Sequence, residues 1–147
     1  MHTADADHLP GTKAIIAGLE KRAASSSRKP ILIHTSGTGV LVERTQPPGK
    51  VKSEKVFSDA DLTTYYALPA TNIHKDVDDV VLEAGTRGKI DTAIVAPPTI
   101  WGTGEGKFNR HSIQVPLLVK KCIAGGHGLV VEDGVNTWSI IHVADGY

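Results

Sequence analysis

The 147 residues contain one cysteine, Cys122, so no internal disulfide can form. A secreted, disulfide-stapled scaffold is thereby excluded. Charge of one sign is also lacking: sixteen Lys and Arg balance sixteen Asp and Glu. That balance argues against the basic stripe of a nucleic-acid binder and the acidic composition of a disordered activator. No apolar run approaches the ~20 residues that cross a bilayer. The opening residues, Met1 to His8, are acidic and polar and read as neither a signal peptide nor an Arg-rich transit peptide. The expectation is a cytoplasmic protein with no membrane or nucleic-acid partner. Internal repeats and a linker are missing too, so residues 1–147 are expected to form a single domain. Hydrophobic residues at 40% and charged residues at 22% are ordinary for a globular chain able to build a core.

The patterning that is present alternates helices with apolar strands. Leu9-Pro10-Gly11 is loop punctuation, and Thr12 can cap a helix to about Ala24 with Ile15, Ile16 and Leu19 as its stripe. Ile31 to His34 reads as a strand buried on both faces of a parallel sheet, followed by Thr35-Ser36-Gly37-Thr38-Gly39. Residues 43 to about 70 are polar, with Pro47-Pro48-Gly49, and predict an irregular excursion with a turn of helix near Asp59–Leu62. Ile73, Val77, Val80, Val81 and Ala84 recur at helical spacing, with Gly85 or Gly88 as the stop. Asp91 to Val95 is the second buried strand. Ser112 can cap a helix to Ile123, with Pro116 in its first turn and Gly125-Gly126 ending it. Short strands at 128–131 and 137–143 are expected about an Asp133-Gly134 turn. The order predicts an α/β fold with a parallel sheet.

Open parallel sheets bind ligands beyond the carboxyl ends of their strands. Thr35-Ser36-Gly37 and Ala96-Pro97-Pro98-Thr99 occupy those positions. A hydroxyl with small residues at one end and a rigid Pro-Pro at the other would suit a cofactor lying across the edge. A pair of plain strand-to-loop turns is the other reading.

Three segments carry a family resemblance. Ile31-Leu32-Ile33-His34-Thr35-Ser36-Gly37-Thr38-Gly39-Val40 resembles the stretch of extended short-chain dehydrogenases/reductases where a strand ends at the catalytic Ser/Thr. Ile94 to Gly102 is similar to that family's Arg-Pro-x-x-x-Tyr-Gly stretch, with Trp101 at the Tyr position. Trp138 to Asp145 resembles its His-Val-x-Asp segment. The three occur in the family's order and span most of the chain, so the sequence resembles an atypical member of the NAD-dependent epimerase/dehydratase family.

The resemblance implies the carboxyl-terminal part of a Rossmann-type doubly wound sheet lacking its first strands. The family's Gly-rich dinucleotide turn is not found, and the expectation is therefore an internal piece of a longer enzyme with exposed apolar surfaces. It further implies an NAD(P)-dependent oxidoreductase or epimerase acting on a small carbonyl or sugar-like substrate, possible as a homodimer. In that reading Ser36 hydrogen-bonds the substrate oxygen and His74 or Lys75 contacts the cofactor ribose. Pro97, Pro98 and Thr99 flank the nicotinamide, and Thr3, Ala4 and Thr35 are further cofactor contacts. NAD and NADP stay undistinguished.

The catalytic pair departs from the family. Tyr-x-x-x-Lys places both side chains on one helix face, where the Lys lowers the Tyr pKa. No tyrosine here has a lysine four residues later. His74 or Lys75 falls near the family Lys, and Ala70 or Thr71 near the Tyr; neither replaces a phenol. Tyr65 and Tyr66 are close but out of register. The alternative function is a non-catalytic NAD(P)-sensing or interaction module. His74 and Asp78, four apart, can pair, and a solvated i,i+4 pair is the plainer form of that reading.

Gly102-Thr103-Gly104-Glu105-Gly106-Lys107 does not have the phosphate-loop spacing, and Phe108 follows the lysine. The scattered histidines form no metal motif, although His2, Asp5, Asp7 and His8 could take a metal adventitiously. No resident metal is expected. His142 reads as a hydrogen-bonded histidine in or near the core, and Cys122 as inert core.

Overall fold

The computed structural model describes residues 1–43, 49, 50 and 52–146. Helix α1 spans Leu9–Ala23, strand β1 Ile31–Thr35, the one-turn helix α2 Thr63–Tyr66 and helix α3 Lys75–Thr86. Strand β2 follows at Asp91–Val95, β3 at Thr99–Trp101, helix α4 at Gln114–Gly125 and β4 at Ile140–His142. Short 3-10 turns lie at Thr38–Leu41 and Val143–Asp145. The architecture is α/β with two short parallel sheets. The chain divides into two compact units: residues 1–42 with 57–96, and residues 43–56 with 97–147. The expected prolines of the excursion, Pro47 and Pro48, lie outside the described residues, as does Tyr147.

In the first unit β1 and β2 pair in parallel, Ile31 opposite Asp91 through Thr35 opposite Val95. His2 adds a parallel bridge on the other side of β1: its N–H donates to the Ile33 carbonyl at 2.8 Å, and its carbonyl accepts from Thr35 N–H at 3.0 Å. Helices α1 and α3 pack on each other, α1 also on β1 and α3 on β2. Ile16, Leu32, Val81, Ala84 and Ile90 form the resulting core. Both strands were expected to be buried on two faces, and neither is. Burial alternates along β1: Leu32 and His34 point inward, while Ile31 is 62% exposed. On β2 the burial is likewise one-sided, with Val95 exposed. The helices cover one face of the pair, so the period-2 pleat separates inner from outer side chains.

Local chemistry shifts several helix boundaries. His8, not Thr12, caps α1; its Nδ1 accepts from Gly11 N–H at 3.2 Å, and Pro10 takes an early helical position that needs no donor. Thr12 instead lies inside the helix, fully buried. The helical turn expected at Asp59–Leu62 forms at Thr63–Tyr66, after an Asx turn in which Asp61 Oδ1 accepts from Thr63 N–H at 3.0 Å. Helix α3 begins only at Lys75, so Ile73 of the expected stripe is outside it and half exposed. Val77, Val81 and Ala84 supply the buried face, and Gly88, at φ 77°, follows its end. The Asn72 side chain donates to the carbonyls of Val40 and Val42, at 2.8 and 3.2 Å.

In the second unit β3 and β4 pair in parallel, Thr99 opposite Ile140 and Trp101 opposite His142. The hairpin expected about Asp133-Gly134 is corrected: 128–131 forms no strand, and β4 takes its partner from 99–101 instead. A tight turn is present there, with Gly134 N–H donating to the Val131 carbonyl at 3.0 Å, but Val130 and Val131 stay exposed. Helix α4 starts after Ile113 without a side-chain cap, not at Ser112, and ends at Gly126 in the left-handed region, φ 70°. None of its residues is buried, so Cys122 is half-buried rather than core.

Candidate functional site at the end of the first strand

The carboxyl end of β1 gathers most of the chemistry of the first unit. Period-2 alternation turns His34 inward beside Leu32, and the strand's hydrogen bond from Ser36 N–H to the Val95 carbonyl carries Ser36 into the interior. On α3, Asp78 lies one position after Val77 and is also buried, at 1% exposure. Ser36 Oγ donates to Asp78 Oδ2 at 2.7 Å. The other carboxyl oxygen, Oδ1, stands 3.6 Å from His34 Nε2, and neither atom has a hydrogen-bond partner. On its far side His34 Nδ1 meets His2 Nδ1 at 2.9 Å, with the rings stacked 5.1 Å apart. A polar chain thus runs His2, His34, Asp78, Ser36.

Burial governs the titration of this chain. It pushes the Asp78 carboxyl above the ordinary carboxylate range; the Ser36 hydroxyl and the His74 and Lys75 charges oppose the shift, and Asp79 adds to it. Burial also lowers the His34 pKa, helped by the neighbouring His2 and His74 and opposed by Asp7. Both buried groups are therefore driven toward their neutral forms.

The predicted His74–Asp78 pair does not form. His74 is not helical: it precedes α3 at φ 69°, an unusual conformation for a non-glycine residue. Its ring swings to Asp7, with Nδ1 2.6 Å from Oδ1. There it covers the turn after Ser36, where a Cβ at Gly37 would lie 3.0 Å from His74 Nε2. Nor is Asp78 a solvated partner on a helix surface, since its carboxyl is turned inward to Ser36 and His34.

Lys75, expected at a cofactor ribose, is buried at 4% exposure and its ammonium is bound to Asp79. The same ammonium sits 4.5 Å from the centroid of the Tyr65 ring, and the Tyr65 hydroxyl donates to Asp79 Oδ1 at 3.4 Å. Burial raises the Tyr65 pKa well above the ordinary phenol value, and Asp78 and Asp79 raise it further. A tyrosine and a lysine do meet, ten residues apart in sequence, but the phenol is held protonated rather than activated.

Of the other predicted residues, Thr3 and Ala4 are exposed just after the His2 bridge. Thr35 ends β1, and its buried Oγ1 has no hydrogen-bond partner. Pro97, Pro98 and Thr99 belong to the second unit, where Thr99 opens β3. In that unit Pro98 lines an open cleft of about 570 Å³ with Ile100, Gly102, Arg110, His111 and Val143 among its walls. His142 is a half-buried histidine whose Nδ1 accepts from Ala144 N–H at 3.2 Å, edge-on to Trp101. Among the described residues no three His, Cys, Asp or Glu side chains converge as a metal site, and no helix is long and apolar enough to cross a membrane.

Sequence reasoning missed the contacts of His2 with His34 and of Asp7 with His74, the burial of His34, and Asp79 as the partner of Lys75. His34 carried a signal, since it shares the inward phase of β1 with Leu32. His2 and Asp7 carried none, because their partners lie 32 and 67 residues away. Comparison of the chain with protein-family models, with curated proteins and with solved structures gives no match.

Proposed function

We propose that the chain is a non-catalytic NAD(P)-binding module, built as part of a Rossmann-type sheet, that senses or presents the cofactor without turning over a substrate. The observation that carries this reading is the state of the would-be acid–base groups. The Ser36 hydroxyl is committed to Asp78, the Lys75 ammonium to Asp79, and the Tyr65 phenol is pushed away from proton release. Proton transfer to a substrate needs a group near its working pKa and within reach, and these three are paired internally. Cofactor binding draws support from the parallel β1–β2 pair, whose strand ends carry the dehydrogenase-like segments. The unpartnered Thr35 Oγ1 offers one buried hydrogen bond at that end. When bound, NAD or NADP supplies hydride chemistry; the residues here would hold it rather than move protons for it.

The second reading is an NAD(P)-dependent oxidoreductase or epimerase of a small carbonyl or sugar-like substrate, and it draws on the proximity of Tyr65 to Lys75. Calorimetric titration of the full chain with NAD and NADP separates the two when joined to a hydride-transfer assay on carbonyl and sugar substrates. Saturable binding without turnover is expected. Turnover that Ser36→Ala abolishes would establish the second reading, and failure to bind either dinucleotide would overturn both.

A further inference from the structure

The contact between His2 and His34 is a hydrogen bond between two Nδ1 atoms, 2.9 Å apart. Such a bond needs one proton between the two nitrogens: one donates and the other accepts. It also closes the only main-chain bridge that residues 1–4 make to β1 among the described residues, through His2 N–H to Ile33 and Thr35 N–H to His2. One ring is fully buried and the other is partly open to solvent. We propose that His2 and His34 form a one-proton latch that holds residues 1–4 along the edge of β1 and releases them on mild acidification, opening the strand edge beside Ser36.

The physical sequence is short. With a single proton between the two Nδ1 atoms, one ring donates and the other accepts. A second proton, on His34, leaves two N–H groups facing each other at hydrogen-bond distance in a buried place, and the contact opens. The charged groups around His34 set the direction. His2 lies on the opening segment, Asp7 between that segment and α1, and His74 at the head of α3. Lys75, Asp78 and Asp79 lie on α3, and Tyr65 on α2. Of these, the two neighbouring histidines disfavour charge on His34 and Asp7 favours it. Because the folded His34 pKa lies below its ordinary value of 6.5, the stabilising neutral form is complete above about 6.5 and is lost as the pH falls. Asp7 is tied separately, its Oδ1 2.6 Å from His74 Nδ1 and apart from the His2–His34 contact. Release is therefore confined to residues 1–4, with Asp7 kept in place.

Amide hydrogen exchange on the full chain, followed by NMR and corrected for the intrinsic pH dependence, tests this. Between pH 7.5 and 5, protection at the His2 and Thr35 amides should fall by at least about tenfold, the effect of one linked proton over one pH unit. The Ser36 amide, bonded to Val95 across β1–β2, should keep its protection. In His2→Phe, which retains a stacking ring without a titratable nitrogen, the acid response of the Thr35 amide should disappear, whether the edge stays closed or open throughout. Unchanged protection in the wild-type chain, or the same acid midpoint in His2→Phe, would overturn the latch.

Discussion

Residues 1–42 with 57–96 bury eight apolar side chains, whereas the described residues of the second unit bury none. Apolar residues are not what the second unit lacks. Val115, Leu117, Leu118, Val119 and Ile123 crowd α4, and each is 38–76% exposed. At 100° per residue these five point around most of the helix circumference, and a strand pair three residues long cannot cover them. In the first unit the apolar positions of α3 fall on one stripe, and two helices share one face of a five-residue parallel pair. A core follows from apolar residues arranged on facing surfaces, and composition alone does not supply it.

The sharpest way to break this contrast is to truncate one side chain in each unit. Ile90→Ala removes a fully buried side chain and should cost about 2–5 kcal/mol in urea denaturation. Leu117→Ala, at a half-exposed site, should stay within about 0.5 kcal/mol. Equal costs would show that α4 is packed against something in solution.

Next in size is Ser36→Ala, which leaves a buried Asp78 oxygen without its donor. A loss of about 1–3 kcal/mol in a thermal melt is expected. A negligible change would mean that the carboxyl finds another partner and that the polar chain is loosely held.

How much of this was legible in advance divides along the same line. The stripe of Val77, Val81 and Ala84 and the apolar runs of β1 and β2 are local signals, and each produced its element close to the expected bounds. Ser36 follows directly after β1, where the apolar run Ile31 to His34 placed it. What local pattern could not reach was partner choice. Val130 and Val131 look like a strand but pair with no strand among the described residues, while Thr99–Trp101, for which no strand was expected, pairs with residues some forty positions on. His74 was misplaced for a related reason: its left-handed backbone removes it from the helical register on which an i,i+4 argument depends.

A smaller effect sharpens the comparison at high pH. Tyr65 keeps its proton in the folded state above the ordinary phenol value of 10, whereas the unfolded chain releases it there. The stability this contributes is present below about pH 10 and is lost as the pH rises through the alkaline range. Absorbance at 295 nm should therefore show Tyr65 ionising late, together with unfolding, and Tyr65→Phe should flatten the alkaline limb. Early ionisation of Tyr65 in the folded chain would contradict the burial described for it.

Smallest of all should be Arg87→Ala. The guanidinium joins α3 to α1 through Glu20 at 2.8 Å, but it is more than a third exposed, so solvent screens the pair. A change in the urea midpoint worth less than about 1 kcal/mol is expected.

The first unit is drawn from two separate stretches of chain, and this has a practical consequence. Strand β1 comes from one stretch and β2 from the other, α1 from the first and α3 from the second, and Asn72 grips the carbonyls at the end of the first. A protease cutting between Glu43 and Val56 would sever the backbone but none of these contacts. The peptides 1–42 and 57–96 are thus a natural complementing pair, and a reporter split across that gap should regain its signal when the two are mixed.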